Sequence, residues 1–505
     1  MSLQQLVRAH GGWLRGDRAA AATEARGVQL DSRRVVPGDL FVALPGTRDD
    51  GARYATDAVA RGAVAIVAPR PLEGLAGGTP QWIHDAPAQL TGILAQAFAG
   101  EPAAATFLAG VTGTNGKTSV AHLVAHLLEA GGRRAGVLGT AGHKLADGPR
   151  EATHTTPDAP ALAQLMAAHR AAGGDALAME VSSHALVQER HAGLAFDAAI
   201  FTNLSRDHLD YHGTLDAYGA AKARLFEALA PGGTAIVHAD DPASDRMARA
   251  ARARGAGVLR YSTRTRADLM ASRLRATREG TSFHLSGMGI PARDVRFHLR
   301  GRFNVENALA ALACALVAGV GPDHALAGLT SCTPAPGRMQ ALRAGGDTPT
   351  PQVIVDYAHT PDALERALRA LRASLDARGG RLWCVFGCGG DRDRGKRPAM
   401  GDAATRLADR VLLTSDNPRS EDPDAIADQV CAALSDAQLA RVIRELDREA
   451  AIRTAIAEAT PRDVVLIAGK GHETVQVDAR GSHPFDDRTV AQAALDERAT
   501  MELTG

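Results

Sequence analysis

The chain has 505 residues, 57 basic side chains against 57 acidic ones, and apolar and charged fractions of 45% and 23%. That length exceeds what one hydrophobic core fills, so two to four domains are expected, and the composition excludes a disordered chain. A formal net charge of zero, with no long basic run, excludes an electrostatic footprint for nucleic acid or for an acidic membrane surface.

The first hundred residues read as a small mixed α/β unit. The stretch Asp31 to Leu44 is a polar turn feeding a strand, and Ala63 to Ala68 is a second strand. The segment Phe98 to Ala104 carries Gly100 and Pro102 and reads as a linker. From residue 104 to 336, apolar β-runs alternate with helical patterns: Arg134 to Gly139, Ala176 to Val181, Ala198 to Asn203 and Thr234 to His238. Such alternation predicts βαβ units on a mostly parallel sheet, with functional groups at the carboxyl ends of the strands. Pro334-Ala-Pro-Gly-Arg marks a second boundary. Beyond it, Val353 to Tyr357, Leu382 to Gly387, Val411 to Thr414 and Val464 to Gly469 repeat the pattern in a third α/β unit. The expected division is 1–103, 104–336 and 337–505.

The five cysteines (Cys314, Cys332, Cys384, Cys388 and Cys431) complete no zinc pattern and suit free thiols in a reducing cytosol. The N-terminus lacks an apolar signal core, and the bland run Ala308 to Val320 is too short to span a bilayer. A cytoplasmic protein is expected.

The most informative stretch is GVTGTNGKTS, Gly110 to Ser119, which follows an apolar run and precedes a helical pattern over Val120 to Glu129. Strand, glycine-rich turn and helix start form a cradle for phosphate. Gly113 and Gly116 let backbone N–H groups approach an oxyanion, Lys117 supplies a charge for the outer phosphates, and Thr118 a hydroxyl for Mg²⁺. The strict P-loop pattern is not met, because Val111 stands where its first glycine would be.

Three further segments carry chemistry. On a helix over Thr214 to Leu229, Lys222 points from an apolar stripe of Leu215, Tyr218, Leu225, Phe226 and Leu229. Spacing allows two readings: a snorkelling lysine with a wet tip, or a desolvated amine of lowered pKa open to covalent modification. Glu180 ends an apolar strand, and Asp207, His208, Asp210 and His212 crowd a loop after another; either could be a polar cap or could hold Mg²⁺. In the last unit, Thr414-Ser-Asp-Asn-Pro-Arg and Gly469-Lys-Gly-His-Glu follow strands, and Arg419 suits bidentate capture of a carboxylate.

Together these segments resemble the Mur ligase family, most closely its third amino-acid-adding branch. The matching pieces are DSRRVVPGDLFVAL, GVTGTNGKTS, THTTPD, MEVSSHALVQER, FTNLSRDHLDYHGT, AYGAAKARLF, GRFNVENALAA, PAPGRMQ, VDYAHTPDALE, FGCGGDRDRGKRPAM, TSDNPR and AGKGHE, in family order along nearly the whole chain. The resemblance implies three α/β domains: a small mixed N-terminal one, a central P-loop-type one with a mostly parallel sheet, and a Rossmann-like C-terminal one. It implies an ATP-dependent ligase that joins meso-2,6-diaminopimelate to UDP-N-acetylmuramoyl-L-alanyl-D-glutamate, acting as a monomer on small molecules with Mg²⁺ as cofactor and ATP as co-substrate.

Residue by residue, it implies that Gly113, Thr114, Asn115, Gly116, Lys117, Thr118 and Ser119 hold ATP phosphates. Asn304, Asn307 and Asp356 would enclose the rest of ATP. Thr118, Glu180 and His208 would ligate magnesium, and Lys222 would be carbamylated, its added carboxylate organising the metal. Leu30, Ser32, Thr47, Arg48 and Asp49 match the uridine-nucleotide site, and His154, Thr155, Thr156, Ser182, Gln188 and Arg190 the muramoyl-dipeptide end. His154 departs from the asparagine common among relatives. Arg392, Asp416, Asn417, Pro418, Arg419, Gly469 and Glu473 match the diaminopimelate pocket. A folylpolyglutamate-synthase-like ligase shares the glycine loop and the chemistry, but would need neither the DSRRVVPGD segment nor the Asp-Asn-Pro-Arg loop.

Overall fold

The computed structural model describes residues 1–504 except 17–20, 47–48, 76–77, 278–279, 346–347 and 376–378. Three main sheets follow one another along the chain. The first contains β1 (Trp13–Arg15), β2 (Gly27–Gln29), β3 (Asp39–Val42), β4 (Ala65–Ala68) and β5 (Gln81–Ile83), in the order β1-β5-β4-β3-β2. Only the β1–β5 pair is antiparallel. β3 and β4 are buried at every residue, as strands covered on both faces must be.

The central sheet contains β6 (Phe107–Thr112), β7 (Ala135–Leu138), β8 (His143–Leu145), β9 (Gly148–Arg150), β10 (Ala176–Glu180), β11 (Phe196–Phe201), β12 (Leu229–His238), β13 (Gly257–Ser262), β14 (Leu269–Ala276), β15 (Thr281–Gly287) and β16 (Ile290–Phe297). Their order is β16-β15-β14-β13-β12-β11-β6-β10-β7-β8-β9. The strands from β14 to β7 run parallel, as expected, whereas both edges end in antiparallel strands. β14, β15 and β16 pair through short reversals and carry exposed polar residues on one side, a half-solvated pattern that separates them from the buried centre. Successive strands are laid down on either side of β6, so its carboxyl end is a topological switch point, where ligands bind in open α/β sheets.

One apolar layer joins the sheet to helices α1 (Lys117–Ala130) and α3 (Arg302–Val317). The opposite layer includes Leu225 and Phe226 of α2 (Leu215–Glu227). The bland Ala308 to Val320 run is thus a core helix, and no helix among the described residues is long and apolar enough to cross a membrane.

Two sequence expectations need correction. Gly110 to Thr112 belong to β6, not to the turn, and Gly110 is needed for packing: a Cβ there would lie 2.8 Å from both Leu225 Cδ1 and Phe196 Cε1. Leu215 does not join the apolar stripe of α2 but is 44% exposed on its first turn, and Leu229 already starts β12.

The third sheet holds β17 (Gln340–Leu342), β18 (Gln352–Asp356), β19 (Leu382–Phe386), β20 (Arg410–Leu413), β21 (Val442–Arg444) and β22 (Val464–Ala468), ordered β17-β18-β22-β19-β20-β21 and parallel except at β17. Helix α4 (Pro361–Leu375) packs on one face with Leu364, Leu368 and Leu371. The five cysteines are free thiols, four of them buried.

Candidate active site

The glycine loop leaves β6 at the switch point and turns into α1. Gly116 has φ +89°, the left-handed region in which a side chain is strained, and a Cβ there would lie 2.6 Å from Asn307 Oδ1. Gly113 is pressed against Thr202 Oγ1, leaving no room for a Cβ. The neighbouring strand end holds the loop in place. Thr114 N donates to Asn203 O at 2.8 Å, Asn115 N to Asn203 Oδ1 at 3.1 Å, and Thr202 Oγ1 to Asn115 O at 2.6 Å.

Positive charge concentrates here. Lys117 Nζ donates to Gly113 O (2.9 Å) and Thr114 O (2.8 Å), and Lys222 Nζ donates to the same Gly113 O at 2.8 Å. Lys222 is 1% exposed and its ammonium stands 4.1 Å from the centre of the Tyr218 ring. Burial pushes the Lys222 amine well below its usual range, with Lys117 adding to the effect. Lys117 is lowered by burial as well, against the opposing pull of Glu180 and Asp207.

Glu180 ends β10 and is 1% exposed. Its carboxylate accepts from Thr118 Oγ1 at 3.0 Å, Thr140 N at 2.8 Å and Thr140 Oγ1 at 3.3 Å. Two oxygen donors about 2.9 Å apart span one edge of an octahedral magnesium shell with ~2.0–2.1 Å bonds, so Thr118 and Glu180 fit that ion, and the cationic cradle fits a polyphosphate. Around Glu180, Thr156 Oγ1 donates to its carbonyl at 2.8 Å, Ser182 N donates to Thr156 Oγ1 at 3.1 Å, and Arg190 reaches Thr156 O at 2.7 Å and Gln188 Oε1 at 3.0 Å. Thr155 Oγ1 accepts from Thr140 at 3.0 Å, and His154 lies beside it.

The C-terminal sheet closes the other wall. Asp356, at the end of β18, accepts from Met339 N at 2.7 Å and is raised in pKa by burial. Asn304 and Asn307 sit on the first turns of α3, 3.4 Å apart through their amides. One cleft of about 430 Å³ therefore unites the loop from Thr114 to Ser119 with His154, Thr155, Thr156, Glu180, Ser182, Gln188, Arg190, His208, Lys222, Asn304, Asn307 and Asp356.

The remaining expected residues lie outside this cleft. Thr47 and Arg48 are outside the described residues. Leu30 packs in the N-terminal core, Ser32 is the buried first residue of an otherwise exposed 3₁₀ turn, and Asp49 is occupied by Arg53 (3.0 Å) and the Tyr54 hydroxyl. Asn417, Arg419, Gly469 and Glu473 form their own cluster at the carboxyl end of the third sheet. Asn417 Nδ2 donates to Glu473 Oε2 at 2.9 Å, a Cβ on Gly469 would lie 3.1 Å from Asp416 Oδ2, and Arg419 donates to Gly390 O at 2.7 Å, next to Arg392. Pro418 sets the bend between them.

Two basic residues escaped the sequence reading. Arg338 crosses from the C-terminal sheet to donate to Thr118 Oγ1 at 2.9 Å while stacking on Tyr357 at 4.5 Å. Lys470, fully buried, donates to Asn417 Oδ1 at 3.0 Å and Glu473 Oε2 at 3.3 Å. Both stand in segments already singled out, PAPGRMQ and AGKGHE, where a cation beside glycine at a strand end was the available signal.

A phosphate loop at a switch point, backed by two buried amines, a carboxylate and a second sheet that reaches over it, defines an enzyme acting on a nucleoside polyphosphate. Family models match in succession: the Mur ligase family catalytic domain over residues 24–98, the Mur ligase middle domain over 111–315, and the Mur ligase glutamate ligase domain over 337–471. The UDP-N-acetylmuramoyl-L-alanyl-D-glutamate–2,6-diaminopimelate ligase of Synechococcus elongatus is 44% identical over 497 residues, 96% of this chain and 97% of that one. The enzyme of the same name from Ectopseudomonas mendocina is 45% identical, covering 93% and 95%. A solved structure of a ligase of that name superposes with a TM-score of 0.70 at 35% identity, covering 99% of each chain. The chain belongs to the Mur ligase family of ATP-dependent, ADP-forming ligases.

Burial around the cleft also sets an acid limit. His122, His191 and His472 are each pushed down to about 4 chiefly by burial, with Arg338 helping at His122 and His472 and Arg224 at His191. Each has a ring nitrogen with no hydrogen-bond partner among the described residues. Between pH 6.5 and 4 the unfolded chain binds more protons at these rings than the folded chain does, so stability falls as pH drops through that window. Melting temperatures measured from pH 7.5 downward should decline through it. A flat profile to pH 4.5 would rule this out.

Proposed function

We propose that the chain ligates meso-2,6-diaminopimelate to UDP-N-acetylmuramoyl-L-alanyl-D-glutamate at the expense of ATP, a cytoplasmic step of peptidoglycan precursor synthesis carried out by a monomer. The observation that carries this reading is the end-to-end correspondence with relatives of that name, at 44% identity over 96% of the chain. In this reading the segments 1–103, 104–336 and 337–505 take the UDP-substrate, ATP and amino acid respectively.

In this reading, ATP phosphates lie along Gly113 to Ser119, and Asn304, Asn307 and Asp356 enclose the nucleoside. His154, Thr155, Thr156, Ser182, Gln188 and Arg190 face the dipeptide end, while Leu30, Ser32 and the turn at Asp49 take the uridine end. The γ-phosphoryl group passes to the D-glutamate side-chain carboxylate, giving an acyl phosphate and ADP. The amine of the incoming amino acid attacks its carbonyl carbon, and phosphate leaves from the tetrahedral intermediate. Lys117 and Arg338 supply fixed positive charge where the anions crowd together, and α1 aims its N-terminus at them. Magnesium, held by Thr118, Glu180 and His208, would neutralise phosphate charge when bound. Lys222, whose pKa burial lowers, can add CO₂ through its neutral form with loss of one proton to give a carbamate. That converts an amine crowded by Lys117 into an anion facing the metal position.

Phosphate release should require UDP-N-acetylmuramoyl-L-Ala-D-Glu, ATP and diaminopimelate together, and lysine should substitute poorly. No phosphate release with any amino acid would leave a nucleotide-binding module and sink the reading.

A further inference from the structure

Beside the main cleft, the carboxyl ends of β12 and β14, the start of α3 and one face of α4 enclose a second cavity of about 500 Å³. His238, Asp240 and Glu306 converge on its wall, with one potential ligand atom of each within 4.8 Å of the others. None of the three is given a part in the ligation chemistry above, although Glu306 also reaches the wall of the main cleft.

His238 ends β12 and its side chain is only 9% exposed. Its Nδ1 lies 3.0 Å from the Thr202 carbonyl, which can only accept, so that nitrogen carries the proton. Nε2 is left facing the cavity wall with no hydrogen-bond partner among the described residues. It stands 3.5 Å from Asp240 Oδ2 and 4.0 Å from Glu306 Oε1. Both separations are long for N–H···O bonds. They are close to the ~3.3–3.5 Å between two ligands on one tetrahedral ion with ~2.0–2.2 Å bonds, and Glu306 closes the remaining gap by a small side-chain shift.

The surrounding contacts also suit a metal. Histidine ligands commonly donate their second N–H to a carbonyl, and carboxylate ligands are themselves hydrogen-bonded, which fixes their orientation. Here Asp240 Oδ1 accepts from Ser262 Oγ at 2.7 Å and Thr265 Oγ1 at 2.8 Å, while Oδ2 accepts from Thr263 N at 3.0 Å. Glu306 Oε1 accepts from Thr263 Oγ1 at 3.1 Å, and the His238 ring stacks flat on Tyr261 at 4.9 Å.

We propose that His238, Asp240 and Glu306 form a binding site for a zinc-class divalent cation, separate from the phosphate-loop site and open to the second cavity. One imidazole and two carboxylates leave a fourth tetrahedral position for water from that cavity. A borderline ion such as Zn²⁺ or Co²⁺ is preferred over Mg²⁺, which takes oxygen ligands in octahedral array. The ion ties the end of β12 to α3, the helix that carries Asn304 and Asn307, so it braces that helix against the sheet.

The test uses the full chain stripped with a chelator and kept in excess Mg²⁺ to saturate the phosphate-loop site. After addition of Zn²⁺ and gel filtration, one equivalent should remain bound. Co²⁺ should give the intense visible bands of a tetrahedral centre, and Zn²⁺ should raise the melting temperature. His238→Asn and Glu306→Gln should each lose the retained metal, the bands and the thermal shift. Should His238→Asn fail to fold, Glu306→Gln, which changes one atom on a partly accessible side chain, decides alone. Equal metal retention by wild type and Glu306→Gln, or none by wild type, overturns the proposal.

Discussion

Lys222→Ala is expected to lose about 10³-fold in kcat while remaining folded. The expectation rests on how the amine is buried. Its hydrogen bond is to Gly113 O, the Tyr218 ring face lies beside it, and Lys117 competes for the same carbonyl. A permanently charged ammonium in that place would be poorly compensated, and burial accordingly holds the amine well below its usual pKa. A neutral amine is what CO₂ addition requires. Truncation to alanine removes an awkward group from the interior, so the melting temperature should hold or rise, which separates lost chemistry from lost folding. Formate or acetate, placed in the vacated space, should restore part of the activity by standing in for the carbamate carboxylate. Full activity in the unrescued variant would eliminate the carbamate and leave Lys222 as a neutral packing element.

What could be read from the chain before its structure follows from how local each signal is. The phosphate loop was legible because strand, glycines, lysine and helix start are consecutive, and Glu180 because it terminates an apolar run. Lys222 was legible as an anomaly on an apolar stripe, although Leu215 had to be removed from that stripe once its exposure was known. Contacts between residues far apart in the sequence were not legible. Arg338 meets Thr118 over 220 positions of sequence, and His238 meets Glu306 only because β12 ends beneath the first turns of α3. No periodicity encodes such meetings. Gly110 shows the converse: read as part of a flexible turn, it is a packing glycine within β6, and only the positions of Leu225 and Phe196 reveal why.

Arg419→Ala should lower kcat/KM for diaminopimelate by about 10²-fold and leave the poor rate with lysine nearly unchanged, collapsing the discrimination between them. Diaminopimelate has a distal carboxylate where lysine has none. The loop that bears Arg419 is fastened to the neighbouring one: Ser420 Oγ donates to Asp391 Oδ1 at 2.8 Å, Asp391 N to Glu421 Oε1 at 2.6 Å, and the buried Arg397 pairs with Glu421 at 2.9 Å. Arg419 itself holds φ +53°, and its guanidinium has backbone carbonyl partners, Gly390 O at 2.7 Å and Asn417 O at 3.4 Å, but no carboxylate within ion-pair distance among the described residues. Burial and the nearby Arg392 lower its pKa against the opposing pull of Asp416, Glu473 and Asp391, and the guanidinium still lacks a carboxylate in direct contact among the described residues. A substrate carboxylate supplies that contact, and lysine would leave the guanidinium partly desolvated without that partner. Alanine keeps the same backbone strain at φ +53°, so the variant should melt close to wild type and the effect should appear in kcat/KM alone. If Arg419→Ala still prefers diaminopimelate by the wild-type margin, discrimination lies instead with the Asn417, Lys470 and Glu473 group, which recognises the other end of the amino acid only if Arg419 has the distal carboxylate.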